Sequence, residues 1–312
     1  MAGFGQTVKL QQEIENVVDE VGVQKPNKDP YAALRAEQES MSHVIKTHSF
    51  VGIYGFDGTC KSAIVLDAIP EDAVLHAMDF DNGVGMLNSA IYDNPNVISW
   101  NPWKMGNKDR TAYDYPGTHQ RVMDIMKYII SEVEKGVPVW GVLVSGLDSW
   151  LEVCTNNMRI IDLGLAKDGI EAADNRGAGD AKRVERQSDW AIRNTRFHQL
   201  TKLSRDLVRL GVRVYWETHM RSTNFSYKDD APVVWQPEWE KKTNNYLPTL
   251  IRMDATNEYN DEDELVSTTY TATYTKCKTN PSLVNQTKTV MVTTTGEEPK
   301  WYGLPDLYDG TL

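Results

Sequence analysis

The chain has 312 residues, 40% hydrophobic and 25% charged, with a formal net charge of −11. That length buries a full core, as one large α/β domain or two smaller ones, and the composition is that of a globular protein. No apolar run of about eighteen residues occurs, which excludes a membrane-spanning helix of that kind, and the acidic balance argues against a general nucleic-acid coat.

The N-terminal stretch lacks the basic-then-apolar layout of a secretory signal. Residues 8–21 place Leu10, Ile14, Val17, Val18 and Val21 at helical spacing, "GVQKPNKDP" breaks the pattern, and "YAALRAEQESMSHVIK" predicts a second helix. Residues 1–48 are therefore expected to be a helical extension. The three cysteines, Cys60, Cys154 and Cys277, are widely spaced and odd in number. They suit a reducing cytoplasm rather than a disulfide framework or a zinc site.

From residue 49 the pattern becomes strand, turn, helix, repeated. "SFVGIYG", "AVLHAMDF", "NVISWN", "VPVWGVLVSG" and "VRVYWETH" predict strands, and "THQRVMDIMKYIISEVEKG" and "NTRFHQLTKLSRDLVRLG" amphipathic helices with glycine stops. The alternation implies an α/β fold with a parallel sheet and crossover helices. The last third is different. "TLIRMDATNEY", "ELVSTTYTATYTKCK" and "TKTVMVTTTG" are rich in Thr, Val and Tyr and predict antiparallel strands extending that sheet. The core is expected over residues 49–295, with 296–312 as a tail. Residues 166–189 and 221–246 fit neither pattern and are expected to be long loops, which at this length in a compact domain are functional or disordered.

The strand "SFVGIYG" runs into Gly55-Phe56-Asp57-Gly58-Thr59-Cys60-Lys61-Ser62 and then a helix. A phosphate-binding loop needs this context: a glycine-permissive turn, a lysine for the β- and γ-phosphates, and a hydroxyl for magnesium. The departure is Cys60, where a glycine would let the backbone adopt positive φ. A negative φ accommodates the cysteine, whereas a positive one strains the backbone by roughly 1–2 kcal/mol. A thiol at a helix start can also acquire a lowered pKa and a redox role.

Further residues fall where such a loop needs partners. "HAMDFDNGVG" offers Asp81 as general base, with Asp79 two residues earlier. "VLVSGLDS" ends its strand at Ser145, where a magnesium-holding carboxylate is expected; Asp148, three residues on, is the candidate to supply that carboxylate from the turn, with Ser145 ordering a metal-bound water. "VYWETH" carries Glu217, Thr218 and His219 at a strand exit, with His219 the candidate γ-phosphate sensor.

These ordered motifs resemble the RecA-like P-loop ATPase core, and most closely the phage-encoded RecA-like ATPases of the single-strand annealing and recombination type. The resemblance spans residues 49–295. It implies ATP and Mg2+ at Gly55–Ser62, Asp81 as the catalytic acid, and assembly of copies into a filament or ring. "TYTKCKTNP" is similar to that family's Lys-x-Lys element, which implies that Lys276 and Lys278 reach a neighbouring subunit's nucleotide. Two lysines guarding an edge strand are the plainer alternative. For a viral protein the compartment would be the host cytoplasm.

Single-stranded DNA is the implied partner. From Lys182 to Arg213 there are nine Lys or Arg against three acids. The two loops combine Lys182, Arg183, Arg186 and Trp190, and Arg221, Phe225, Tyr227, Lys228, Trp235, Trp239, Lys241 and Lys242. Cations interleaved with aromatics suit backbone neutralisation with base stacking. Two rivals remain: a nucleotide-binding assembly or regulatory protein with little turnover, and a ring-shaped helicase or packaging motor on the same core.

Overall fold

The computed structural model describes residues 33–36, 50–109, 112–164, 187–222 and 234–307. The chain divides into two units, Met1–Val44 and Ile45–Leu312. In the first, residues 33–36 form a helical turn, and the rest of the predicted N-terminal helices lies outside the described residues. Among the described residues no helix is long and apolar enough to cross a membrane.

The second unit is α/β. In chain order it comprises β1 (Phe50–Gly55), α1 (Lys61–Asp67), β2 (Leu75–Asp79), α2 (Gly83–Leu87), β3 (Val97–Trp100), α3 (Tyr115–Glu134), β4 (Gly141–Ser145) and α4 (Leu147–Ile161). There follow α5 (Gln187–Arg209), β5 (Arg213–Thr218), β6 (Met220–Ser222), β7 (Trp235–Pro237), α6 (Thr243–Tyr246), β8 (Thr249–Tyr259), β9 (Leu265–Cys277), β10 (Thr287–Thr294) and β11 (Lys300–Trp301). Nine strands form one sheet in the order β11-β10-β9-β8-β1-β5-β4-β2-β3. From β8 to β3 every neighbouring pair is parallel, whereas β8–β9, β9–β10 and β10–β11 are antiparallel.

β1, β2, β4 and β5 are buried along almost their whole length because both faces of the sheet are covered there. Val142, Val144, Val214 and Trp216 pack on one face with residues of α3, α4 and α5. Leu75, Ala77, Leu143 and Tyr215 pack on the other with Ile64, Val65 and Leu66 of α1. Helix α3 starts where Asp114 accepts the Gly117 N–H at 3.2 Å, with proline in its first turn.

Three expectations need correcting. β8 is not antiparallel to its whole surroundings: it joins β1 in parallel and only β9 in antiparallel fashion. The long connection from β5 returns the chain to the starting edge, so β8 enters in the direction of β1. The 296–312 tail is part of the fold as far as it is described. β11 pairs with β10, Leu304 and Leu307 are buried, and Asp306 accepts the Tyr274 hydroxyl at 2.5 Å. Finally, α4 occupies a stretch given no element from sequence. Its buried Leu147, Trp150, Val153, Cys154 and Met158 recur at helical spacing.

Candidate functional site

Consecutive strands β1 and β2 are separated in the sheet by β5 and β4. Helix α1 leaves β1 toward one face, while α4 leaves β4 toward the other. The carboxyl ends of such strands are the usual ligand position in an open α/β sheet with a crevice there.

The loop at these strand ends starts at Gly55. A Cβ there would lie 2.5 Å from the Met253 carbonyl oxygen and 2.6 Å from Thr59 Oγ1. Only glycine keeps β1 tight against β8 while the chain turns away. The buried Thr59 hydroxyl donates to the Phe56 carbonyl at 2.7 Å and closes the turn. Phe56 and Trp235 meet edge to face, centroids 4.8 Å apart, and both are exposed. The loop ends at Cys60 with φ 64° and ψ 23°, the left-handed region. The positive-φ case holds, with its strain of roughly 1–2 kcal/mol. Burial pushes the Cys60 thiol up to about 11, with the Lys61 charge opposing. A redox role would draw on a shift in the opposite direction.

Behind the loop, Lys61 Nζ donates to the carbonyls of Phe56 at 2.7 Å and Gly55 at 3.4 Å. Burial holds the Lys61 pKa below the ordinary lysine value, opposed by the charges of Glu217, Asp57, Asp148 and Asp81. Ser62 Oγ donates to Glu217 Oε2 at 2.7 Å, and Ser145 Oγ donates to the same oxygen at 3.0 Å. Asp79 and Ser145 pair across β2 and β4, and one residue past the last β4–β5 pair, Val144 and Trp216, the hydrogen bond joins Ser145 to Glu217. By alternation Asp79, Ser145 and Glu217 project on the α1 face. Asp79 Oδ2 accepts the Gly85 N–H at 2.8 Å. Asp79 Oδ1 and Glu217 Oε1 are buried without a hydrogen-bond partner. Burial raises Glu217 to about 7, opposed by its hydrogen bond from Ser62, the Lys61 charge and the hydrogen bond from Ser145.

A second cluster lies at the loop tip. His219 Nε2 is 2.6 Å from Asp57 Oδ1, and its Nδ1 is 2.9 Å from Asp148 Oδ2. The Asp148 hydrogen bond raises the His219 pKa against the effect of burial. For Asp148, burial acts upward, but the hydrogen bond and charge of His219 hold the carboxyl below its ordinary range. Thr218 Oγ1 donates to the Glu238 carbonyl at 2.9 Å and reaches Asp148 Oδ1 at 3.5 Å. Asp81 accepts from Ser149 Oγ at 3.3 Å. Burial raises Asp81 above the ordinary aspartate value, and Asp148 adds to it. Gly146, at φ 88°, leaves room for it: a Cβ there would lie 2.9 Å from Asp81 Oδ2.

The structure thus brings together Asp57, Lys61, Ser62, Asp81, Ser145, Asp148 and His219. Lys276 and Lys278 lie elsewhere. Lys276 is opposite Leu250, itself opposite Gly52 near the start of β1. Its ammonium donates to the Asn244 carbonyl, and Lys278 N–H bonds the Pro248 carbonyl at 3.0 Å. Lys182, Arg183, Arg186, Phe225, Tyr227 and Lys228 lie outside the described residues. Lys241 and Lys242 are exposed, and Arg221 is half-buried in β6. Trp239 is no stacking platform: it is buried, and its Nε1 donates to Asn244 Oδ1 at 2.8 Å. The 221–246 region is only partly loop, since β6 pairs with β7 and α6 follows.

Beside Asp148 opens a cleft of about 450 Å³ lined by Arg159, Trp190, Arg193 and Glu238 among others. The Arg193 guanidinium stands 4.6 Å over the Trp190 ring. Glu217 is the main site residue assigned no role from sequence; its alternation with the apolar Tyr215 was the available signal. A comparison with protein-family models finds no match for this chain, and a comparison with curated proteins finds none either.

Proposed function

We propose that this chain is a RecA-like ATPase that binds ATP with magnesium at Gly55–Ser62 and acts, as an assembly of copies, on single-stranded DNA. One observation carries the reading. Lys61 and Ser62 emerge behind a glycine turn at the end of a central parallel strand, and the neighbouring strand ends supply Glu217 and Ser145 on the same face. The strand order, with β5 and β4 inserted between β1 and β2, supports a RecA-like arrangement.

In this reading the loop N–H groups face the phosphates, and Lys61 moves from the Phe56 and Gly55 carbonyls onto the β- and γ-phosphate oxygens. Asp81, with its raised proton affinity, takes the proton of the attacking water as the bond to the leaving oxygen breaks. His219, bridging Asp57 and Asp148, senses whether the loop tip has moved. Magnesium, when bound, offsets the phosphate charge. Hydroxyl and carboxylate oxygens near Ser62 are the donors that suit such a hard cation. Among the described residues no three His, Cys, Asp or Glu side chains converge to hold a metal alone, as expected where phosphates and water complete the shell.

Lys276 and Lys278 stand at the far end of β1 from the chain's own loop, which suits action on a neighbour's nucleotide. The Trp190–Arg193 pair beside Asp148 suits one stacked base and its phosphate. A second reading, nucleotide binding with little turnover, is favoured by the strained Cys60 and the neutral Ser145. Turnover assays with and without single-stranded DNA separate the two, using Lys61→Ala as control. Loss of one charged contact to phosphate weakens binding about 10- to 100-fold. Unchanged nucleotide binding by Lys61→Ala would refute both readings. Turnover stimulated by duplex, or strand displacement, would indicate a helicase or packaging motor.

A further inference from the structure

Glu217 is unusual for a carboxylate: only 1% of its surface is exposed, at the end of a central strand. A buried carboxylate normally satisfies both oxygens. Here Oε2 takes both available hydroxyls, from Ser62 and Ser145, while Oε1 has none. The adjacent strand β4 ends in the neutral Ser145, so it brings no charge to the α1 face. Asp79, one strand further, also has one orphaned buried oxygen, but its other oxygen is committed to the Gly85 N–H. Four carboxylates, from Glu217, Asp57, Asp148 and Asp81, act on the ammonium of Lys61, and two of them, Asp57 and Asp148, also flank the imidazole of His219. Phosphates entering that field need a cation beside them.

We propose that Glu217, reaching the site from β5, is the carboxylate that holds the divalent cation, acting together with Ser62, in place of a carboxylate at the end of β4. This rests on the nucleotide reading above and assigns the charge that Ser145 does not supply. The Ser62 hydroxyl would offer a lone pair to the cation while still donating its proton in the hydrogen bond to Glu217 Oε2. Oε1, buried without a hydrogen-bond partner, would be the oxygen left to bind the ion or one of its waters. Magnesium commonly takes such a set: one carboxylate, one hydroxyl, phosphate oxygens and water.

The test measures binding of a non-hydrolysable fluorescent ATP analogue to the full chain, with Mg2+ and with EDTA, and binding of Mn2+ by electron paramagnetic resonance in the presence of the analogue. Glu217→Gln keeps an acceptor oxygen for both serines but removes the charge. The expected result is unchanged affinity in EDTA, and about 10- to 100-fold loss of Mn2+ affinity and of the Mg2+ enhancement. Glu217→Asp, which keeps the charge one methylene shorter, should fall between wild type and Glu217→Gln. If Glu217→Gln fails to fold, Glu217→Ala replaces it, and a folded Glu217→Ala that binds Mn2+ as tightly as wild type overturns the proposal. Nucleotide binding whose Mg2+ dependence survives Glu217→Gln overturns this inference alone. No nucleotide binding by the wild-type chain overturns the nucleotide reading and this inference with it.

Discussion

Cys60 gives the sharpest test of the loop geometry. At φ 64° and ψ 23° its Cβ crowds its own carbonyl, a cost of roughly 1–2 kcal/mol that glycine avoids. Alanine has the same Cβ and keeps the strain, so Cys60→Gly and Cys60→Ala differ mainly in backbone terms. Glycine loses about 0.5–1 kcal/mol through the greater freedom of its unfolded chain. The difference leaves Cys60→Gly more stable than Cys60→Ala by about 0.5–1 kcal/mol. For a folded unit of this size that is about 1–4 °C in melting temperature. Both variants lose the same half-buried sulfur, which packs against the α1-face core, so the comparison cancels it. Urea unfolding and differential scanning calorimetry of the two variants measure the gap. Equal stability, or alanine above glycine, would refute the left-handed conformation and the account of the loop built on it.

Other outcomes follow from the same geometry. With a pKa near 11, Cys60 carries about 0.1% thiolate at pH 8, so its alkylation should be roughly 100-fold slower than that of a free cysteine, read by mass spectrometry. Gly55→Ala forces a methyl against the Met253 carbonyl and should cost about 1–3 kcal/mol in denaturant unfolding. Trp239→Ala should cost about 3–5 kcal/mol as a core truncation, whereas Trp235→Ala loses only its edge contact with Phe56, about 0.5–1.5 kcal/mol. His119 stacks on Trp150, and burial, with Arg196 adding, lowers its pKa to about 4. Above the unfolded value near 6.5 it is neutral in both states; as pH falls from there toward 4 the unfolded chain takes the proton first. Stability should therefore drop by about 1–2 kcal/mol over that window, discounted for partial solvent access, and His119→Phe should remove that component in unfolding at pH 7.5 and 4.5.

Much of this architecture was legible because its signals are local. The run Val142-Leu143-Val144 marks a strand covered on both faces, and the glycine after each long helix marks its stop. The direction of β8 was not legible, because it reads together with the Thr-rich β9 and β10 that follow it, and composition does not encode which edge a long connection returns to. Trp239 and Trp235 illustrate the same limit on a smaller scale. Four residues apart in one polar stretch, they read alike, yet β7 and α6 turn one into the core and leave the other beside Phe56.

The site divides along the same line. Lys61 and Ser62 follow one another and could be read directly, as could the neutral Ser145 at the end of its strand. That Glu217 stands beside Ser145 depends on β5 lying between β1 and β4, a fact of sheet order rather than chain order. Ser145 and Glu217 are 72 positions apart in sequence but share a hydrogen bond of 3.0 Å. Once β5 is adjacent, alternation alone decides the rest. Tyr215 faces α1, so Glu217 faces α1, and Ser62 at the first turn of α1 is the hydroxyl it meets. A serine at the end of β4 is therefore weak evidence for a defective site. The charge need only arrive on the correct face, and a neighbouring strand can deliver it.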